Sequence, residues 1–528
     1  MKVLISDKLS KKGIELFQKE EGLEVDVKVG MSPQELISCI GDYDALVVRS
    51  ETKVTAEVLA AAKNMKVIGR AGSGVDNIDI NEASKQGIIV MNTPGGNTVT
   101  TAEHAVSLLL SLVRNIPQAT ASMREGKWEK KKFMGVEVMD KTLGVIGLGK
   151  VGTEVAKRAR GLFMNVIAYD PYISEDAARK LQVELVDLES IYKRSDMITI
   201  HVPKSPETSY MINQETIQKM KNGVRIVNCA RGGLVDEKAL AEALTSGKVA
   251  GAALDVFEKE PPPPDNPLLN IPSVICTPHL GASTEEAQDN VAIAIADQMV
   301  DYLKNGTIRN AVNTPSIPQE VLSGIKPFVS LTENMGRLLS QISEGRMQKF
   351  TITFRGDEVL NYNVAPITVA AIMGLLKPIL QETVNYVNAP ILAKEREINV
   401  EETKETAPGD FTNLITLTLV TDKGSTTVSG TLFGKANPRI VKINGFTVEL
   451  MLTEKMLVFQ NIDKPGVIGD IGGLLGQAGI NISGMQFGRE KPGGRAISVL
   501  NIDNHVDQDM LQKFRELPNV VSVKLINL

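Results

Sequence analysis

Three segments of the chain place an arginine, a carboxylate and a histidine, in that order, just after short apolar runs. They read Asn228-Cys-Ala-Arg231-Gly-Gly, Asp255-Val-Phe-Glu-Lys-Glu260-Pro and Cys276-Thr-Pro-His279-Leu-Gly-Ala. Such runs predict buried strands, and ligands collect at the carboxyl ends of parallel strands in open α/β sheets. The three residue types suit removal of a hydride from a secondary alcohol. That step needs a base for the hydroxyl proton, and histidine titrates near neutrality. It also needs a cation to orient a neighbouring carboxylate and polarise the developing carbonyl, which the planar fork of arginine provides. A carboxylate beside the histidine stabilises the imidazolium formed. Taken singly, a lone Arg or Glu is usually a solvated charge and a lone His is usually structural. Three such strand ends in succession favour a site.

A second motif precedes them. Thr142-Leu-Gly-Val-Ile-Gly-Leu-Gly-Lys-Val-Gly sets Gly147, Gly149 and Gly152 in G-x-G-x-x-G spacing, after a strand-like run and at the start of a helical pattern. Each glycine has its own reason: Gly147 for the tight turn, Gly149 for close approach of a pyrophosphate, Gly152 for helix–strand packing. The helix N-terminus offers free N–H groups and a partial positive charge to phosphates. Asp170 ends the next strand-like run, near the spacing expected of the acidic residue that accepts from ribose hydroxyls. Its charge would repel a 2′-phosphate, so the expected cofactor is NAD rather than NADP.

Short Val- and Ile-rich runs alternate with amphipathic stretches from the first residue to about residue 310. This alternation predicts parallel sheets covered by helices. Long helical patterns at 98–114 and 284–304 bracket the central segment and read as crossings between two lobes. The predicted class is α/β, with two Rossmann-like doubly wound lobes. Residues 1–98 plus 286–316 would form the first, discontinuous lobe, and 99–285 the nucleotide lobe. Prolines within 311–319 mark a linker. Residues 317–453 mix helices with Thr-rich alternating strands in an α+β intervening domain. Residues 454–528 read strand, helix, strand, strand, helix, strand, a ferredoxin-like βαββαβ unit.

A length of 528 residues, 43% hydrophobic and 23% charged, fits several ordinary globular domains. The net charge of −5 gives no overall basic field for nucleic acid. The local run Lys130, Lys131, Lys132 reads equally well as a solvated basic face. No stretch approaches the roughly 18 uninterrupted apolar residues of a membrane span, and the N-terminus shows no signal-peptide pattern. Three widely spaced cysteines, Cys39, Cys229 and Cys276, suit a reducing compartment. Four histidines and no close Cys/His cluster predict no metal site. The cytoplasm is the expected address.

The strand-end motifs and the glycine fingerprint resemble those of the D-isomer-specific 2-hydroxyacid dehydrogenases, in order, from residue 1 to about 315. The resemblance implies that His279 is the acid/base, Glu260 its partner, and Arg231 the holder of the substrate carboxylate and carbonyl. It implies that Lys150, Val151, Val202, Cys229, Ala230, Asp255, Gly281 and Ala282 line the cofactor with the fingerprint residues, beside Arg231 and His279. His104 and His201 match no catalytic position; His104 reads as helix packing and His201 as a loop residue near the cofactor.

Val47-Val-Arg49-Ser50-Glu-Thr, Gly69-Arg70-Ala-Gly-Ser73-Gly74-Val-Asp-Asn and Thr93-Pro-Gly-Gly-Asn97-Thr resemble the phosphoglycerate dehydrogenase branch. That implies 3-phosphoglycerate as substrate, with Arg49 and Arg70 suited to its phosphate and Ser50, Ser73, Gly74 and Asn97 around it. Gly126-Lys-Trp-Glu-Lys130 resembles the segment that reaches a neighbouring subunit's site, which makes Lys130 a candidate phosphate contact and implies a dimer or tetramer. Asn461-Ile-Asp463-Lys-Pro-Gly and Gly479-Ile-Asn481-Ile resemble an ACT domain, implying that Asn461, Asp463 and Asn481 bind L-serine across two such domains. Residues 318–452 resemble the extra regulatory domain of the long form. A glyoxylate or hydroxypyruvate reductase remains an alternative. From another class, so does an NAD-dependent binding protein like the C-terminal-binding-protein corepressors, although Arg231, Glu260 and His279 are all present.

Overall fold

Two parallel sheets occupy the first part of the chain. The first has strands β1 (Lys2–Ile5), β2 (Glu24–Val27), β3 (Ala45–Val48), β4 (Val67–Arg70) and β5 (Ile89–Met91), in the order β2-β1-β3-β4-β5. Every pairing is parallel. The second has β6 (Thr142–Ile146), β7 (Asn165–Tyr169), β8 (Glu184–Leu185), β9 (Met197–Ile200), β10 (Val224–Asn228), β11 (Val249–Leu254) and β12 (Val274–Cys276). Its order is β12-β11-β10-β9-β6-β7-β8, the doubly wound arrangement whose strand order reverses between β6 and β9. Helices on both faces leave these strands no polar side, so all four residues of β3 and of β9 are buried. The computed structural model describes residues 1–315, 319–380, 384–406, 410–434 and 436–528. Residues 316–318 of the proline-rich stretch predicted as a linker lie outside the described residues.

Two long helices run between the sheets, close to the two predicted crossings. Thr98–Val113 leaves the end of the first sheet and buries Ala102, Ala105, Leu109 and Leu112 against the second. Glu285–Asn305 starts at Thr284, whose side chain accepts from Ala287 N, and packs Ile295, Ala296 and Met299 with Val3, Ile5 and Val67 of the first. Gly69 permits this approach, since a Cβ there would collide with Met299.

The third sheet comprises β13 (Met347–Arg355), β14 (Asn399–Glu405), β15 (Leu414–Thr421), β16 (Gly424–Phe433), β17 (Asn437–Ile443) and β18 (Phe446–Leu450). It is mixed, in the order β14-β13-β15-β16-β17-β18, with only β13–β14 parallel. Burial alternates along β15 as expected of a sheet covered on one face. Phe328, Leu331, Met335 and Leu338 of helix Gln319–Ile342 cover Phe350, Ile352 and Leu417.

The last sheet holds β19 (Lys455–Ile462), β20 (Ile482–Arg489), β21 (Arg495–Ile502) and β22 (Val520–Asn527), antiparallel in the order β20-β21-β19-β22. With helices Val467–Gln477 and Gln508–Glu516 on one face, it is the ferredoxin-like unit that the element order predicts. Its other face contributes Met456, Val458, Val499 and Ile526 to the core of the third sheet. Among the described residues no helix is long and apolar enough to cross a membrane.

Candidate active site

The carboxyl ends of the two parallel sheets face one cleft of about 340 Å³, open to solvent. Arg70 ends β4 and Arg49 follows β3, while Arg231, Asp255 and His279 follow β10, β11 and β12. The cleft brings together Arg70, Ser73, Gly74, Asn97, Val151, Val202, Cys229, Ala230, Arg231, His279, Gly281 and Ala282. Thr101, His201, Pro203 and Asp76 also line it.

His279 Nδ1 lies 2.8 Å from Glu260 Oε2, which leaves Nε2 as the nitrogen free to exchange a proton. Glu260 Oε1 accepts from Phe257 N at 3.2 Å. Burial pushes the Glu260 carboxyl up, but the His279 bond and charge and the Phe257 N–H outweigh it and hold the group below its ordinary value. His279 adopts the left-handed backbone region, φ 54°, rare outside glycine and common where a site constrains the chain. Its N–H donates to the Asp255 carbonyl at 2.9 Å, which fixes that turn.

Arg231 is held from two sides: Nε donates to Asp76 Oδ2 at 2.9 Å, across the cleft, and Nη1 to the Ala230 carbonyl at 2.6 Å. Gly74 makes room for it, since a Cβ there would collide with Arg231 Nη2. Arg70 is half-buried, and among the described residues its buried Nε has no hydrogen-bond partner. Burial first, then the neighbouring charges of Arg231 and Arg49, lower its pKa to about 10, so it still carries its charge at neutral pH. Three guanidiniums near one cleft form a site for an anion.

The glycine turn has the geometry that each glycine predicts. Gly147 has φ 92°, and a Cβ there would stand 2.7 Å from the His201 carbonyl oxygen. At Gly152 a Cβ would collide with the Gly147 carbonyl. A Cβ on Gly149 would meet nothing within 4 Å, so the space above the helix N-terminus is clear for a pyrophosphate. Asp170 accepts from Leu148 N and Tyr172 N, at 2.8 and 2.9 Å, which fixes its carboxylate at the end of β7. Lys150 Nζ reaches across to the Pro94 carbonyl at 3.1 Å. These residues fit a dinucleotide.

Comparison with known proteins agrees with this geometry. Residues 106–281 match the model of the D-isomer specific 2-hydroxyacid dehydrogenase NAD binding domain. Residues 324–444 match the D-3-phosphoglycerate dehydrogenase intervening domain, and 455–519 the ACT domain. The D-3-phosphoglycerate dehydrogenase of Archaeoglobus fulgidus is 47% identical over 530 residues, covering 100% of both chains. The chain belongs to the D-3-phosphoglycerate dehydrogenase family. The Bacillus subtilis member is 42% identical, covering 100% of this chain and 99% of its own. Among solved structures, the TT0316 protein of Thermus thermophilus superposes with a TM-score of 0.55 at 34% identity, over 59% of this chain and 100% of its own. An NAD-dependent formate dehydrogenase from Staphylococcus aureus, in complex with NAD, gives 0.55 at 30% identity, over 60% and 100%. The protein is accordingly an oxidoreductase with NAD as its cofactor.

One family position, Asp255, lies elsewhere than the resemblance implies, and others have surroundings of their own. Asp255, expected along the cofactor, is fully buried and turned into the 277–281 loop instead of the cleft. Cys229 is a buried thiol pushed up by burial and by the Asp255 charge, so it lines the cleft as an apolar group. Arg49 Nη1 donates to the Lys8 carbonyl, and Ser50 is exposed beside it. Lys130 is not at the cleft of its own chain; its Nζ lies 5.5 Å from the Trp128 ring centroid on an exposed segment.

In the ACT domain, buried Asn461 accepts from Ser498 Oγ at 3.0 Å. Asp463 pairs with Arg489 at 2.8 Å, and Asn481 donates to Asp503 at 2.6 Å. Among the described residues no hydrogen bond joins these three. Asp76 and His104 were missed by sequence reasoning. Asp76 stands in the quoted Gly-Ser-Gly-Val-Asp turn, where a carboxylate beside a cation-rich motif was the available signal. His104 signalled itself only as a polar residue within an apolar helix.

Proposed function

We propose that the chain oxidises 3-phospho-D-glycerate to 3-phosphooxypyruvate with NAD, the entry step to L-serine. The observation that carries this reading is the charged Arg70, whose Nε has no hydrogen-bond partner among the described residues, beside Arg231 and Arg49 and next to the His279–Glu260 pair. A substrate with a carboxylate at one end and a phosphate at the other needs more than one guanidinium. In this reading Arg231 grips the carboxylate and polarises the C2 oxygen, and Arg70 and Arg49 hold the phosphate. His279 Nε2 takes the C2 hydroxyl proton, and Glu260 stabilises the imidazolium. NAD, when bound, accepts the hydride. Asp170 favours NAD over its 2′-phosphorylated relative by charge.

Lys130 of a second copy would add to the phosphate site in a dimer or tetramer, and L-serine would bind where two ACT domains meet, at Asn461, Asp463 and Asn481. Three free cysteines accord with a cytoplasmic enzyme.

The test is NADH formation from 3-phosphoglycerate, D-glycerate and 2-hydroxyglutarate at matched concentration. Strong preference for the phosphorylated acid is expected, and comparable kcat/KM on glycerate would refute the substrate assignment.

A further inference from the structure

Thr101 and His104 lie three residues apart on one face of helix Thr98–Val113 and meet the loop that carries His279. His104 Nε2 stands 3.1 Å from Asp255 Oδ1 and 3.2 Å from Thr277 Oγ1. Thr101 Oγ1 donates to the Gly281 carbonyl at 2.9 Å. Asp255 ties the same loop from the other side. Its Oδ1 accepts from Thr277 Oγ1 at 2.6 Å and Leu280 N at 2.7 Å, and its Oδ2 from Gly281 N at 2.8 Å. The carboxylate thus fixes the two peptide N–H groups that follow His279, the Asp255 carbonyl fixes the one before it, and none of the Asp255 side-chain surface is exposed.

We propose that His104 is a positioning residue for His279, acting through Asp255. A fully buried carboxylate is costly unless a cation or several donors face it. Among the described residues, the one basic side chain within ion-pair distance of Asp255 is His104. Burial pushes the Asp255 carboxyl up, and the His104 bond leads the contacts that bring it below its ordinary value. Without that partner the carboxylate relaxes by protonating or turning, and either change loosens its bonds to Leu280 N and Gly281 N. His279 at φ 54° is the residue that responds, because its backbone conformation is imposed by the loop and not preferred by the chain. The helix bearing His104 also begins beside the first sheet, so the contact links the position of one lobe to the orientation of the base in the other. The inference rests on the dehydrogenase reading only for its kinetic arm.

The test compares His104→Leu, which removes the contact, with His104→Gln, whose amide nitrogen reaches the place of Nε2. A misplaced catalytic group costs up to about 10²-fold in turnover. In the Leu variant kcat should fall by about 10–10²-fold, with KM for 3-phosphoglycerate nearly unchanged, because Arg70 and Arg231 lie on other elements, and with any loss of NADH affinity through Gly281 smaller than the loss of turnover. The Gln variant should recover most of the loss. The chain has four histidines, so imidazole NMR resolves them individually, and the His279 resonances should move in the Leu variant and return in the Gln variant. That arm reports on positioning even if the substrate assignment fails. Native kcat and unmoved His279 resonances in the Leu variant would overturn the proposal. So would equal losses of turnover, cofactor affinity and thermal stability in both variants, which would assign His104 to the fold alone.

Discussion

Arg70 sits half-buried, with no partner for Nε among the described residues and flanked by two other guanidiniums, an arrangement that a bound anion relieves. Replacing it with methionine keeps the buried stem and removes the charge. A charged hydrogen bond of this kind contributes roughly 1.5–3 kcal/mol, so Arg70→Met should raise KM for 3-phosphoglycerate about 10–10²-fold and leave that for glycerate nearly unchanged. Steady-state kinetics on both acids checks it; equal effects on the two would remove Arg70 from the phosphate site. His201 carries a different prediction. Its imidazole is half-buried at the edge of the cleft, with Thr199 Oγ1 at 2.8 Å, and desolvation lowers its pKa to about 4 from 6.5. The fold thus favours the neutral form. Its contribution is present above the unfolded value and is lost as pH falls from about 6.5 to about 4, a difference of about 3 kcal/mol. His201→Gln should flatten that part of the profile of urea midpoint against pH. The grouping of Arg231, Glu260 and His279 was legible because each member follows an apolar run. Asp76 and His104 were not, because their partners Arg231 and Asp255 lie 155 and 151 residues away in sequence.

At the scale of elements, the turn from β6 into the helix Lys150–Gly161 separates two reasons for a glycine. At Gly152 an added Cβ meets the Gly147 carbonyl, which is backbone and has no room to retreat. At Gly149 the same atom meets nothing in the protein and only a bound dinucleotide would feel it. Gly152→Ala should therefore lower the melting temperature and weaken NADH binding together. Gly149→Ala should leave the melting temperature within a degree or so of wild type and weaken NADH by at least about tenfold, a loss of about 1.4 kcal/mol. Thermal unfolding and NADH titration of both variants check the contrast, and a destabilised Gly149→Ala protein would show that the open space is illusory. The central strands of the two parallel sheets, such as β3, β6 and β9, were readable because burial on both faces leaves them apolar runs, whereas β2 and β8 carry exposed charged residues and have no such run. What pairs with what was not: β1 lies between β2 and β3, and β6 between β7 and β9, and such orders come from long-range packing.

The whole molecule divides its cores unevenly. The third and fourth sheets share one, through Met456, Val458 and Val499, so the ACT and intervening domains have a common interior. Contact with the catalytic lobes is narrower. Asn385 Nδ2 donates to the Gly87 carbonyl at 2.9 Å, Thr314 Oγ1 donates to the Tyr386 carbonyl at 3.1 Å, and Val387 is buried in the core of the first sheet. Gly87 turns with φ 74° just before β5, the neighbour of the strand that ends in Arg70, and a Cβ on it would collide with Asn385. A change in the ACT domains thus has a short physical route to the anion site. Allosteric coupling typically amounts to about 1–3 kcal/mol, roughly 5–150-fold in affinity, a size that one lost hydrogen bond at a small junction alters measurably. L-serine should lower activity, and Asn385→Ala should leave basal turnover and serine affinity near wild type while reducing the inhibition. Calorimetry of serine binding alongside inhibition curves for both proteins separates the two quantities. Inhibition undiminished in Asn385→Ala would place the route elsewhere, and no serine binding to the intact protein at millimolar concentration would dismiss serine as the effector.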